Sequence, residues 1–563
     1  MLPQESYKLD INIPAKMRDG VILYSDVYRP NARSKYPAIL IRTPYNKSRS
    51  SINFQQFIRA GYALAIQDCR GTGASEGEYY PWRDDTNDGY DAVEWLAGQS
   101  WCDGNVGMMG ASNVGSVQWL AASTQPPHLK AISPTHTSSG LPFPRKGYLE
   151  WGAALGWYVM QTLSWVMRSK LSPADKKTAM EHLSKYVKNM QEQLFFLPLK
   201  DVPATKISGV TMSPFLSDWL IHLNDAQYWE QLGSPAHIEK IKVPALLVVD
   251  WYHPAMADVL RDYETIKEKG EYAFARQNLK LILGAPMSAS MSDAMEPAGV
   301  DIIGTHIRWF DHWLKGINNG IMDEPRVRIF VMGDNVWRNE NEWPLVRTAF
   351  TKYYFHSSGR ANSRFGDGTL DIQPPRNNEP SDNYLYNPRN PVPTKGTLMG
   401  NISAEDQQEV EDRSDILVYT SAPLQADLEV TGPLEVKLYA ASSVVDTDFT
   451  GKLVDVWPDG KALNLNTVEG IIRTRYRKSQ YHPLLIKPGK IYEYSIKLGA
   501  TSNVFKTGHR IRVEISSSNF PKYDRNQNMG HIIGQDSEMK VALQTIQHNI
   551  LYPSHIVLPI IPR

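Results

Sequence analysis

One stretch constrains the fold more than any other: Gly104-Asn-Val-Gly-Met-Met-Gly-Ala-Ser112-Asn-Val-Gly115-Ser-Val-Gln-Trp-Leu-Ala-Ala122. Val106, Met108 and Met109 read as the end of a buried strand, and Gly110 to Asn113 as a sharp turn. Val114, Val117 and Leu120 to Ala122 then supply the apolar residues of a helix that meets no proline before Pro126. A serine held between small residues at such a turn sits in strained geometry with its hydroxyl above the sheet. The backbone N–H groups that follow it point at whatever lies there. The form is Gly-x-Ser-x-x-Gly, and it puts Ser112 forward as a nucleophile.

The flanking chain has the alternation such an elbow requires. Tyr36 to Arg42 and Tyr62 to Asp68 are nearly continuous apolar runs, the pattern of strands buried on both faces. A helix is expected over Asp84 to Leu96, and a further strand over Leu129 to Pro134. Strand signals return at Val243 to Val249 and at Leu279 to Gly284. An amphipathic helix follows over Asp301 to Lys315, stopped by Gly316. Strand–helix alternation of this kind predicts an α/β fold, a largely parallel sheet flanked by helices. Residues 8–30 read instead as a hairpin turning at Arg18-Asp19-Gly20.

Two regions break the pattern. Residues 141–237 carry tryptophans on helix-like segments, including a charged helix from Pro173 to Gln193, and read as a helical cap inserted between two halves of the sheet, 1–140 and 238–325. Trp151, Trp157 and Trp165, with Trp251 beyond the cap, are candidates to line a substrate pocket suited to an apolar or aromatic acyl group. From 326 to 563 short strands separated by Gly, Pro, Asn and Asp predict an all-β jelly roll.

Composition narrows the partners. Lys and Arg number 60 against 60 Asp and Glu, with no basic run long enough to follow a phosphate backbone, which argues against nucleic acid. No apolar run approaches the roughly 20 residues of a membrane helix, and the N-terminus has no secretory pattern. Cys69 and Cys102 are the two cysteines, both in core-like segments, so a reducing cytoplasm is expected, with neither metal nor cofactor. His306 and His312 are six residues apart, off the spacing of a helical metal pair. A homodimer through the C-terminal domain is compatible with the sequence.

Longer motifs carry a family resemblance. Pro44-Tyr45, Gln67-Asp68-Cys69-Arg70-Gly71, the elbow, Arg308 to Gly316, Asp427 to Pro433, Lys452 to Gly460 and Ser516 to Pro521 together resemble the cocaine esterase-like family, with its relatives the α-amino acid ester hydrolases and X-Pro dipeptidyl-peptidases. The resemblance covers essentially the whole chain. It implies an α/β-hydrolase domain, an inserted cap and a C-terminal jelly roll. It further implies that the Tyr45 hydroxyl joins the backbone N–H of Asn113 as an oxyanion donor.

Serine acyl transfer needs a base, an orienting group and pre-placed oxyanion donors. Here the family pattern fails twice. Asp250-Trp251-Tyr252-His253 stands where the family has Gly-Trp-Tyr-Asp, so His253 replaces the expected carboxylate. Leu283 to Ser290 contains Ala289 where the family has its histidine, and no histidine occurs between 254 and 305. An engineered change at 289 would account for the missing base but not for His253. Alternatively His253 serves as the base, oriented by Asp250, Asp258 or Asp293. As a third reading, the scaffold has left hydrolysis for ligand binding or for an acyltransferase, lyase or cyclase step in biosynthesis. Asp68 and Arg70 are expected to pair and support the Tyr45 loop, and His136, placed after the strand that precedes the cap, either faces the pocket or, as expected, is a satisfied polar residue. The expected enzyme is a serine hydrolase acting on a small-molecule ester or amide.

Overall fold

The computed structural model describes residues 7–31, 34–49, 54–140, 144–145, 147–207, 210–223, 225–232, 237–284, 300–396, 404–479 and 482–563. Ala289 and Asp293 lie outside them.

The first domain is a ten-stranded sheet. Its strands are β1 (Tyr7–Lys16), β2 (Ile22–Pro30), β3 (Tyr36–Thr43), β4 (Ala63–Asp68), β5 (Cys102–Ala111), β6 (Leu129–Thr135), β7 (Ala245–Asp250), β8 (Leu279–Gly284), β9 (Val327–Val331) and β10 (Val336–Glu340), in the spatial order β1-β2-β4-β3-β5-β6-β7-β8-β9-β10. The hairpin edge pairs antiparallel through β2 and β4. From β4 to β9 every pairing is parallel. All residues of β3, β4, β7 and β8 are buried, which accounts for their unbroken apolar runs. Helices α1 (Asp85–Ala97) and α2 (Asn113–Ser123) pack together on the sheet.

Val327–Val331 was expected to open the all-β domain. It instead joins the first sheet as β9, parallel to β8, and β10 follows it antiparallel, so this domain runs past residue 325 to Glu340. A short apolar strand looks the same in either sheet; only its long-range partner decides.

The insertion is helical. Helix α3 (Trp151–Arg168) leads into α4 (Pro173–Lys188), which Ser172 caps by accepting the Asp175 N–H, with Pro173 in the first turn. A shorter helix, α5 (Phe215–Ile221), follows. Trp157 of α3 and Trp219 of α5 stack on Trp82 from the first domain, with ring centroids 5.6 and 5.5 Å apart. The cap tryptophans thus fasten the insertion to the sheet domain rather than packing only on one another. Helix α6 (Met256–Lys269) follows β7. Helix α7 (Ile302–Lys315) is capped by Asp301 and ends at Gly316 with φ +68°, as its sequence predicts.

The strands from Ala349 onward form an eleven-stranded, mainly antiparallel assembly with its own core, whose longest ladder joins Leu428–Ser442 to Tyr492–Phe505. Buried Arg473 ties this domain to the start of the cap. It donates to Asp448 at 2.9 Å, to Asp524 at 3.0 Å and to the Gly147 carbonyl, while Asp524 accepts the Leu149 N–H. Arg473→Met would strand two buried carboxylates, and chemical denaturation should show a loss of about 3–5 kcal/mol.

His548, also buried, lies 2.9 Å from Asp382 and 3.2 Å from Glu379. Burial opposes its charge, but hydrogen bonding and attraction from the two carboxylates outweigh that and raise its pKa above 6.5. Its stabilisation is therefore complete below the unfolded pKa of about 6.5 and is lost as pH rises through the folded value. Melting curves from pH 6 to 9 should fall with pH in the wild type and fall less in His548→Gln.

Candidate active site

The elbow forms as its residue types require. Ser112 adopts φ +58° and ψ −129°, a strained backbone for a residue with a side chain, and its side chain is exposed. Gly110, at φ +141°, leaves room that a Cβ would take from Val114, 2.3 Å away. A Cβ on Gly115 would lie 2.2 Å from the Thr137 methyl. The two glycines thus let strand, turn and helix close on each other. The N–H of Ser112 donates to the Thr135 carbonyl at 3.0 Å. Asn113 opens α2, where the first N–H groups lack intrahelical acceptors and face outward.

Tyr45 comes to the elbow from the loop after β3. Its N–H donates to Thr43 Oγ1 at 3.1 Å, and the Trp157 indole N–H donates to its phenol oxygen at 3.3 Å. Burial raises the phenol pKa, while hydrogen bonding from Trp157 and Ser112 works against that rise. Asp68 secures the loop: it accepts the Lys47 N–H at 2.7 Å and the Lys47 ammonium at 3.0 Å. The expected Asp68–Arg70 pair is therefore corrected. Arg70 binds Asp88 at 2.6 Å and Asp19 at 2.7 Å, because the loop after β4 turns its side chain toward α1 and the hairpin.

His253 follows β7. Its Nδ1 accepts the Ala255 N–H at 3.1 Å, and its ring stacks on His136 with centroids 4.9 Å apart. Burial and neighbouring His136 hold its pKa well below 6.5. A neutral ring with Nδ1 accepting carries its proton on Nε2, which leaves no lone pair for the Ser112 proton. Among the described residues no hydrogen bond joins Ser112 to His253 or to His136. The expected base is thus engaged elsewhere by its own turn. Asp258 is paired with Arg261 at 2.6 Å. Asp250 is bound to His136, whose Nε2 lies 3.0 Å from its Oδ2.

The four tryptophans divide. Trp157 reaches the site through its bond to Tyr45, and Trp165 is half-buried against the main core. Trp151 and Trp251 are buried in the core instead: they are 0% and 1% exposed, and their N–H groups donate to the carbonyls of Leu194 and Phe330. Aromatic content alone does not separate such packing from a binding surface.

A serine on a strand-to-helix elbow, met by a phenol and a helix N-terminus on a mainly parallel sheet, defines an α/β-hydrolase. Residues 19–285 match the X-Pro dipeptidyl-peptidase (S15 family), and residues 319–557 match the X-Pro dipeptidyl-peptidase C-terminal non-catalytic domain. The chain is 38% identical to a cocaine esterase of Rhodococcus sp. (strain MB1 Bresler), over 99% of both chains. In fold it is similar to an aminopeptidase of a marine sediment Thaumarchaeota archaeon (TM-score 0.78, 22% identity, 100% of this chain and 98% of that one). It is also similar to an α-amino acid ester hydrolase (TM-score 0.77, 22% identity, the same coverage). The chain belongs to the X-Pro dipeptidyl-peptidase (S15) family, alongside cocaine esterase-like ester and amide hydrolases.

Proposed function

We propose that this protein cleaves an ester or amide of a small molecule by passing its acyl group through Ser112. The observation that carries this reading is the strained elbow, which holds Ser112 exposed at the start of α2. The Ser112 oxygen attacks the acyl carbon, and the carbonyl oxygen gains charge facing the Tyr45 O–H and the Asn113 N–H. Donors fixed before reaction act without reorganising, which is why such sites contribute so much to rate. The Trp157 N–H, by donating to the phenol oxygen, turns the phenol's own proton toward that charge. The cap supplies Trp157, which reaches the Tyr45 phenol. Two free, buried cysteines accord with a reducing cytoplasm.

The test is turnover of p-nitrophenyl esters with acetyl, hexanoyl and benzoyl groups. Saturable release above that of Ser112→Ala, favouring the larger acyl groups, supports the reading. Equal rates for both proteins on every ester refute it.

A further inference from the structure

Strands β5, β6 and β7 are parallel neighbours, so their C-terminal ends open on one edge of the sheet, where ligands of such sheets bind. Ser112 follows β5, His136 follows β6, and Asp250 ends β7. The segment around His136 is clamped to the elbow on both sides. Thr135 accepts the Ser112 N–H, and the Thr137 hydroxyl lies 2.7 Å from the Ser116 hydroxyl. Between them the His136 N–H donates to the Val248 carbonyl at 2.8 Å, and the residue holds φ +50°. A left-handed backbone at a residue with a Cβ is costly and collects at working sites.

The side chain is as constrained as the backbone. Asp250 is fully buried and binds His136 Nε2 through Oδ2, and its Oδ1 has no hydrogen-bond partner among the described residues. A buried carboxylate half unsatisfied is poor structural chemistry. It suits a site where charge develops on the adjacent imidazole. By accepting Nε2–H, Asp250 fixes the lone pair of His136 on Nδ1, and Nδ1 carries no hydrogen bond among the described residues. His253 stacks on this ring, its own Nδ1 occupied, and acts as a buttress.

We propose that His136, oriented by Asp250, is the base that takes the Ser112 proton, a carboxylate–imidazole pair assembled from strand ends other than the one that precedes Ala289. The proposal rests on the reading of Ser112 as nucleophile. As the Ser112 oxygen bonds the acyl carbon, its proton passes to His136 Nδ1, and the carbonyl electron pair moves onto the oxygen facing Tyr45 and Asn113. The imidazolium keeps its Nε2–H on Asp250. Collapse of the tetrahedral adduct breaks the bond to the leaving oxygen or nitrogen, which receives the proton from Nδ1. Water then attacks the acyl-serine with the same base, releasing the acid and restoring the Ser112 hydroxyl.

The test compares His136→Gln, His136→Asn, Asp250→Asn and His253→Gln with the wild type. The Asn variant is included because asparagine tolerates a left-handed backbone. Rates of Ser112 labelling by a fluorophosphonate, and kcat and KM for p-nitrophenyl acetate, are measured on proteins shown folded by thermal melting. The His136 variants and Asp250→Asn should lose about 10³-fold to 10⁴-fold in kcat with KM little changed, against a loss of about tenfold for His253→Gln. If a folded His136 variant labels and turns over within tenfold of wild type, the base lies elsewhere and the hydrolase reading stands without it. A wild-type protein in which Ser112 never labels overturns both.

Discussion

Ser112→Ala should lower turnover of an activated ester by about 10⁴-fold to 10⁶-fold, leaving only what the oxyanion donors and binding supply. Among the described residues the Ser112 hydroxyl makes no hydrogen bond that ties strand, turn and helix together. Its backbone, at φ +58°, is under strain whatever small side chain it carries. Thermal melting of Ser112→Ala should therefore match the wild type. Ser112→Gly should abolish activity equally while gaining about 1 kcal/mol of stability, since glycine accepts this backbone without cost. A loss of activity accompanied by a loss of stability in both variants would assign Ser112 a structural role instead.

Tyr45→Phe removes the hydroxyl proposed as an oxyanion donor and leaves the ring. Loss of one such donor costs about 100-fold to 1000-fold in kcat, and KM should change little because the substrate's carbonyl gains most of its charge after binding. The Trp157 indole loses its acceptor in this variant but keeps its stacking on Trp82 and Trp219. Trp157→Phe provides the complementary change: the phenol stays, its orienting donor goes, and a smaller loss in kcat of about tenfold is expected. Steady-state kinetics on the two variants and their double mutant decide whether Trp157 acts through Tyr45. If it does, the double mutant is scarcely worse than Tyr45→Phe.

The sequence is most legible where local pattern and long-range partner agree. The apolar runs at β3, β4, β7 and β8 can only be strands buried on both faces, and the glycines of the elbow leave one geometry for Ser112. The helix ending at Gly316 has its cap and stop written beside it. Legibility fails where identity depends on a distant neighbour. Val327–Val331 is a generic strand until β8 claims it. Asp68 has Arg70 two residues away, yet takes Lys47 across the sheet end. Trp151 and Trp251 share their residue type with Trp157, and only packing separates core from site. His136 is the instructive case. Nothing around Pro134-Thr135-His136 marks it, and its link to Asp250 spans 114 residues. A signal did exist: Asp250 stands where the resembling family has glycine, a carboxylate added to a strand end that has to be buried, and such a group calls for a partner.

Intact-protein and peptide mass spectrometry after exposure to a fluorophosphonate decides whether Ser112 is an activated nucleophile. A single phosphonyl adduct per chain is expected, carried on the peptide that contains Ser112 and absent from Ser112→Ala. An unmodified wild-type chain, or an adduct on any other residue, would contradict it.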